Sequence, residues 1–202
     1  MRVSSTAILY ILLFLQGLNA QQKTNIYNVI YKGDNVGNVQ LIQSIHGDSI
    51  HYKMTSDIRT KFLFTIRVKS FEESAFKNGR LLYSAVNRTV NGDEKVKKQT
   101  RAGNRIYTLS GDGREAVLHN DGITYNLMRM YCLEPVNMNQ VYSDNYQRFL
   151  KITKIKAHTY KVDLPDGNYN YYTYANGVCS KVEVFSSLYN MELVLRQDAG
   201  MK

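Results

Sequence analysis

A mainly β fold, an antiparallel meander forming a strongly curved sheet or half-barrel, is predicted by the spacing of turn residues, the apolar pattern between them and the placing of proline. Gly33-Asp34-Asn35, Gly47-Asp48, Asn78-Gly79, Asn91-Gly92, Gly103-Asn104, Asp112-Gly113, Asp121-Gly122, Asp166-Gly167 and Asn176-Gly177 tolerate the positive φ that primed hairpin turns require. Most of them lie roughly nine to fourteen residues apart, the spacing of strands joined by tight hairpins. Pro135 and Pro165 are the only prolines, and both fall at expected segment ends, where no ladder donor is lost.

Ahead of the first strand, residues 1–20 read as an export signal. Arg2 gives a charged start, Ala7 to Leu15 an apolar run and Leu18-Asn19-Ala20 a cleavage site, so the mature chain is expected to begin at Gln21. The apolar run is well short of the roughly 20 residues that span a bilayer. Position 21 is not a cysteine, so no lipid anchor is expected there. Residues 21–202 then form one antiparallel β domain, long enough to bury a core without staples and unmarked by any linker.

Within that domain, Ile26, Val29 and Tyr31 open the first strand segment. Val39, Leu41, Ile42 and Ile45, then Ile50, Tyr52 and Met54, then Phe62, Phe64, Ile66 and Val68 continue the alternating or continuous apolar pattern, rich in β-branched and aromatic types. From Ser49 to Phe76 there is neither Gly nor Pro, which predicts two long strands bent around Arg59-Thr60-Lys61. One segment departs from the strand pattern. Ile123, Leu127, Met130 and Tyr131 fall at i, i+4, i+7 and i+8 with Met128 beside them, and Pro135 closes the run. A short helix near 123–133 is expected, plugging or covering one side of the curved sheet, because an apolar sheet face must be buried against something.

Further on, Asn-Tyr-Asn-Tyr-Tyr-Thr-Tyr-Ala-Asn-Gly at 168–177 concentrates tyrosine in one strand. Alternation puts Tyr169, Tyr171 and Thr173 on one face, and Tyr172 and Tyr174 with Asn168 and Asn170 on the other. A stacking platform for a sugar or base needs its rings together, so a structural strand is the expectation. The blocks Cys132-Leu133-Glu134-Pro135, Val141-Tyr142-Ser143-Asp144-Asn145-Tyr146, Tyr160-Lys161-Val162-Asp163-Leu164-Pro165-Asp166-Gly167 and Tyr171-Tyr172-Thr173-Tyr174-Ala175-Asn176-Gly177-Val178-Cys179 resemble the C-terminal half of a family of exported, β-rich proteins of Gram-negative bacteria described only as a domain of unknown function. The resemblance is best over about 123–197 and extends to the N-terminal half only in its turn pattern. It implies a strongly curved antiparallel sheet, somewhat like the lipid-shuttling half-barrels of the cell envelope, and it implies no activity, cofactor or catalytic residue.

A net charge of +9, one unit of it Arg2, is spread along the chain and suits an anionic partner such as acidic lipid or glycan of the envelope. An exported chain with no recognisable binding motif is not expected to take nucleic acid. Lys95, Lys97, Gln99 and Arg101 share one strand face, read either as edge protection or as a docking patch. Cys132 and Cys179 either form one disulfide in an oxidising compartment or stay separate as buried thiols. If Gly47-Asp48 is a two-residue turn, His46 faces Ser49 and His51 faces Ser44, so the imidazoles are not paired and no metal or other cofactor is expected. There is no Gly-x-Ser-x-Gly elbow, and the glycine turns lack the Lys-Ser/Thr pair of a phosphate loop.

These features favour an exported, non-catalytic protein over an enzyme. Its concave apolar face, partly covered by the helix, would take an apolar or lipid-like envelope ligand against Leu127, Met128, Met130 and Tyr131, since thioethers adapt to varied apolar shapes. Two alternatives remain: a hydrolase in which Glu134, Asp144 and His158 meet in three dimensions, and a structural or adhesive surface module. An apolar groove, converging carboxylates or a filled core would distinguish the three.

Overall fold

The computed structural model describes residues 21–61 and 65–196. The export signal at 1–20, and Phe62 and Phe64 of the fourth apolar segment, lie outside the described residues. The strands are β1 (Gln21–Tyr31), β2 (Asp34–His46), β3 (Ser49–Lys61), β4 (Thr65–Lys77), β5 (Arg80–Val90), β6 (Asp93–Ala102), β7 (Ile106–Gly111) and β8 (Arg114–His119), followed by the one-turn helix α1 (Leu127–Met130). Then come β9 (Gln140–Ser143), β10 (Arg148–Lys156), β11 (Thr159–Asp163), β12 (Tyr169–Ala175), β13 (Val178–Phe185) and β14 (Asn190–Leu195).

All of them belong to one 14-stranded sheet, in the order β8-β7-β6-β5-β4-β3-β2-β1-β14-β13-β12-β11-β10-β9. Every pairing between them is antiparallel. The sheet is therefore two successive meanders, β1–β8 and β9–β14, joined where β14 returns beside β1 with Tyr27 opposite Leu195. It does not close, because β8 and β9 are its two ends. The segment between those ends, 120–139, carries α1 into the interior.

The turn chemistry explains the hairpins. Asn78-Gly79, Asn91-Gly92, Asp112-Gly113 and Asn176-Gly177 all have positive φ at both positions, the geometry that matches strand twist. At Gly47-Asp48 the pairing puts His46 opposite Ser49 and Ser44 opposite His51, as the spacing predicts. The first turn differs from expectation: it is Lys32-Gly33, with φ of 53° and 91°, not Gly33-Asp34-Asn35. The bend expected at Arg59-Thr60-Lys61 is not there, since β3 continues through all three residues and Lys61 pairs with Thr65. Extended pairing across the whole of β3 and β4 satisfies more backbone groups than an earlier bend would. The basic strand β6 is internal, paired with β5 and β7, so edge protection does not account for its lysines.

Gly177→Val is expected to cost roughly 1 to 3 kcal/mol, read as a lower urea midpoint. The strain comes from φ alone: Gly177 has φ of +75° and a Cβ there would meet no atom within 4 Å. An unchanged midpoint would show that the β12–β13 turn is relaxed in some other way.

The predicted helix shrinks to one turn. Ile123 and Tyr125 give their carbonyls to Leu81 N (2.7 Å) and Tyr142 N (3.0 Å), and Asn126 bridges to Tyr142, so the first half of the apolar run behaves as an added strand. The Asn126 side chain then caps α1 by accepting from Arg129 N at 3.1 Å. Packed around this segment are Tyr27, Val29, Leu41, Tyr52, Phe76, Leu81, Tyr107, Val141, Leu150, Ile152, Tyr160, Val162, Tyr172, Tyr174 and Val182, all buried on the concave face of the sheet.

Candidate functional site

Irregular backbone placed inside a sheet needs partners for its N–H and C=O groups, and here tyrosines on the surrounding strands supply many of them. Tyr107 of β7 accepts from Ile123 N at 2.9 Å and donates to Leu81 O at 3.0 Å. Tyr174 of β12 donates to Met130 O at 2.8 Å. Tyr27 of β1 donates to Cys179 O at 2.8 Å and reaches Tyr131 O at 3.4 Å, while Tyr125 closes the segment on itself by donating to Leu133 O. The tyrosine strand thus splits as its alternation requires. Tyr172 and Tyr174 are buried, and Tyr169 and Tyr171 are on the outside.

The proposed ligand contacts lie within this plug. Met128 and Met130 are 2% and 0% exposed, and Ser74 Oγ approaches Met128 Sδ at 3.9 Å. Leu127 and Tyr131 are half-buried against the same core, with the Tyr131 ring edge-on to Tyr27 and Tyr172 at centroid distances of 5.3 and 6.1 Å. The thioethers fill the interior and do not face an open groove.

Glu134, Asp144 and His158 do not make one constellation. His158 Nδ1 lies 3.1 Å from a Glu134 carboxylate oxygen, and Tyr160 donates to Glu134 at 2.8 Å. Desolvation works to raise the Glu134 carboxyl, but the hydrogen bonds from Tyr160 and His158, with Lys154 nearby, together hold it below its usual range. Asp144 keeps different company, inside the sheet. Its Oδ2 accepts from Asn126 Nδ2 at 2.9 Å, and Asp144 Oδ1 and the neighbouring Ser84 Oγ are both fully buried. Burial, with the Glu72 carboxylate nearby, raises the Asp144 pKa to about 7, and the Ser84 hydroxyl and Asn126 amide oppose that rise. Glu72 itself pairs with Arg88 at 3.3 Å. This buried acid was on the sequence page as a residue type but not as an environment, because β5, α1 and β9 meet only in space.

Chemically, the two clusters are of different kinds. Glu134 and His158 are an acid–imidazole pair at the surface, with the His158 side chain 67% exposed. Asp144 is a proton-holding group in the wall of the plug. Among the described residues no group of three or more His, Cys, Asp or Glu is arranged to hold a metal.

The sequence pattern of a domain of unknown function, DUF6134, matches residues 27–196. The chain belongs to the DUF6134 family. Its DUF6134 domain runs from the buried Tyr27 of β1 to Arg196 just past β14, so the match takes in both meanders and the plug. A solved structure with a similar fold is the crystal structure of a beta-barrel-like protein of domain of unknown function DUF1849 from Brucella abortus. The likeness has a TM-score of 0.56 at 9% identity and covers 88% of this chain and 96% of that one, which shows the fold alone. None of the curated proteins matches the chain.

Other features of the DUF6134 domain bear on chemistry. Both cysteines are free thiols, and burial pushes Cys132 up to about 11 and Cys179 up to about 12, so neither is a ready nucleophile. On the outer face Tyr169 stacks on Phe185 (4.9 Å, 17°), Tyr171 meets both rings edge-on, and Lys161 Nζ sits 4.5 Å from the Tyr169 centroid. The rings and the ammonium occupy one another, which suits a structural cluster better than a stacking platform. The surface depressions are open, one of about 550 Å3 being lined by Glu94, Lys95, Lys97, Asp112 and Arg114.

Asp144 predicts a pH effect. Its folded-state pKa of about 7 lies above the ordinary carboxyl value of about 3.9, so the folded domain binds this proton more tightly than the unfolded chain. The stability it contributes is complete below about pH 4 and is lost as pH rises through about 7. Asp144→Asn keeps an acceptor for Asn126 and adds a donor beside Ser84. Its urea midpoint is expected to exceed that of the parent at pH 8, with a smaller difference at pH 5. A difference independent of pH would mean that Asp144 is ionised throughout.

Proposed function

We propose that this DUF6134 protein acts after export, in the periplasm or outside the cell, as a non-catalytic module that works through its outer surface. The observation that carries this reading is the filled interior: Met128, Met130 and Ile123 occupy the space an apolar ligand would need, and tyrosine hydroxyls hold the segment there. The test is uptake of a fluorescent fatty acid by the mature protein. No saturable uptake is expected. Stoichiometric uptake would overturn the reading and restore an apolar or lipid-like ligand at Leu127, Met128, Met130 and Tyr131. That second reading is favoured by one observation, the adaptable methionines in an irregular plug. Export itself is tested by N-terminal sequencing, with Gln21 expected first and a retained Met1 in an alkali-resistant membrane pellet counting against it.

An anionic envelope surface is the partner this reading proposes. On the outer face of β3 and β4, Arg59 stands directly opposite Arg67, and Lys61 and Lys69 flank them. Like charges opposed across a ladder are unfavourable, and the single carboxylate among them, Asp57, which hydrogen-bonds Arg67 at 2.9 Å and lies opposite Lys69, leaves the cluster net positive. Binding to vesicles rich in anionic phospholipid should weaken with salt and fall several-fold in Arg59→Glu and Lys69→Glu. Equal binding to neutral vesicles would exclude this patch.

A further inference from the structure

β8 is a free edge. The sheet ends there, its residues are exposed except for the half-buried Leu118, and Val117 is 54% exposed. The other end, β9, is covered, because Asn126 bridges Tyr142 and Tyr142 N donates to Tyr125 O at 3.0 Å. An open depression lined in part by Leu109, Ala116 and Gln147 lies beside the β7–β8 hairpin.

The pairing of β7 and β8 fixes which backbone groups are free. Asp112-Gly113 is a two-residue turn with positive φ at both positions, so Gly111 and Arg114 form the hydrogen-bonded pair that closes it. The alternation continues through Leu109 with Ala116 and Tyr107 with Leu118. The N–H and C=O groups of Arg114, Ala116 and Leu118 are thereby used within the hairpin. Those of Glu115, Val117 and His119 point to the open side.

We propose that β8 pairs antiparallel with β8 of a second copy of this chain, about a two-fold axis at Val117. In that register Val117 opposes its own counterpart, and Glu115 opposes His119 of the other copy at both ends. Glu115, Val117 and His119 all gain backbone partners at once. The side-chain match is equally specific. Glu115, Val117 and His119 share the outer face, so the register sets a carboxylate against an imidazole on each side of a valine pair, and Ala116 against Leu118 on the inner face. Shifting by two residues breaks the carboxylate–imidazole match and leaves backbone groups unpaired. Charges on an edge strand ordinarily deter association, but in this register the Glu115 carboxylate meets an imidazole that can donate to it.

The test is sedimentation velocity on the mature protein up to millimolar concentration. A reversible monomer–dimer equilibrium is expected. Val117→Pro removes an N–H that the hairpin does not use and places a ring in the path of the second strand, so it should leave the folded monomer intact and abolish the dimer. Glu115→His and His119→Glu should each weaken association about tenfold or more, and the double exchange should restore it. A chain that stays monomeric overturns the proposal. So does a dimer indifferent to Val117→Pro, or a double exchange that fails to recover what the single changes lose.

Discussion

Met130→Asp is expected to unfold the DUF6134 domain, lowering stability by more than about 4 kcal/mol. Met130 is fully buried and its carbonyl accepts from Tyr174 at 2.8 Å, so the side chain cannot swing outward without breaking that bond. Loss of a buried Met costs about 2 to 5 kcal/mol by itself, and an unpaired carboxylate in the same space adds several more. Against a total of about 5 to 15 kcal/mol for a typical domain, little would remain. Leu127→Asp, at a half-buried position, should cost less. Circular dichroism and urea unfolding decide the matter: a Met130→Asp protein with a parent-like β spectrum and midpoint would mean that the helix is a movable cover after all.

Gly37→Val should remove more than about 3 kcal/mol, a larger loss than Gly177→Val. A Cβ at Gly37 would lie 2.2 Å from Asp57 O and 2.8 Å from Ile58 Cα, both backbone atoms of β3. No side-chain rearrangement relieves that contact, so β2 and β3 would have to part. The position is special because the register between β1 and β2 shifts there: Gly37 opposes Val29 while Asn35 opposes Ile30, leaving Val36 as an extra residue. Asn35 Oδ1 accepts from Gly37 N at 3.1 Å and helps hold the bulge. Thermal unfolding of the variant within a few degrees of the parent would show that the two strands do not approach so closely.

The two glycines illustrate what could be read from the chain. Gly177 follows Asn and precedes an apolar run, a local signal that specifies a hairpin wherever it occurs. Gly37 stands in an ordinary strand sequence, and its need for glycine arises from a neighbour twenty residues away. The β10–β11 turn was illegible for a related reason: Ala157-His158 takes positive φ at His158 (55°) with no glycine to announce it. Pairing on both sides imposes the turn there.

By itself the sequence determined the fold class, most hairpins, the faces of the tyrosine strand and the position of the interrupting segment between Ile123 and Pro135, because strand period and turn chemistry are local. Tertiary structure alone decided that this segment is a plug with one helical turn. Its carbonyls at Ile123, Tyr125 and Met130 find donors on β5, β9 and β12, elements distant in sequence, and those bonds outweigh the helical periodicity of its side chains. The raised pKa of Asp144, the separation of Asp144 from Glu134 and His158, and the exposed edge at β8 follow in the same way from which strands end the sheet and what fills it. Burial and strand order are properties of the closed-up chain, and no window of the sequence contains them.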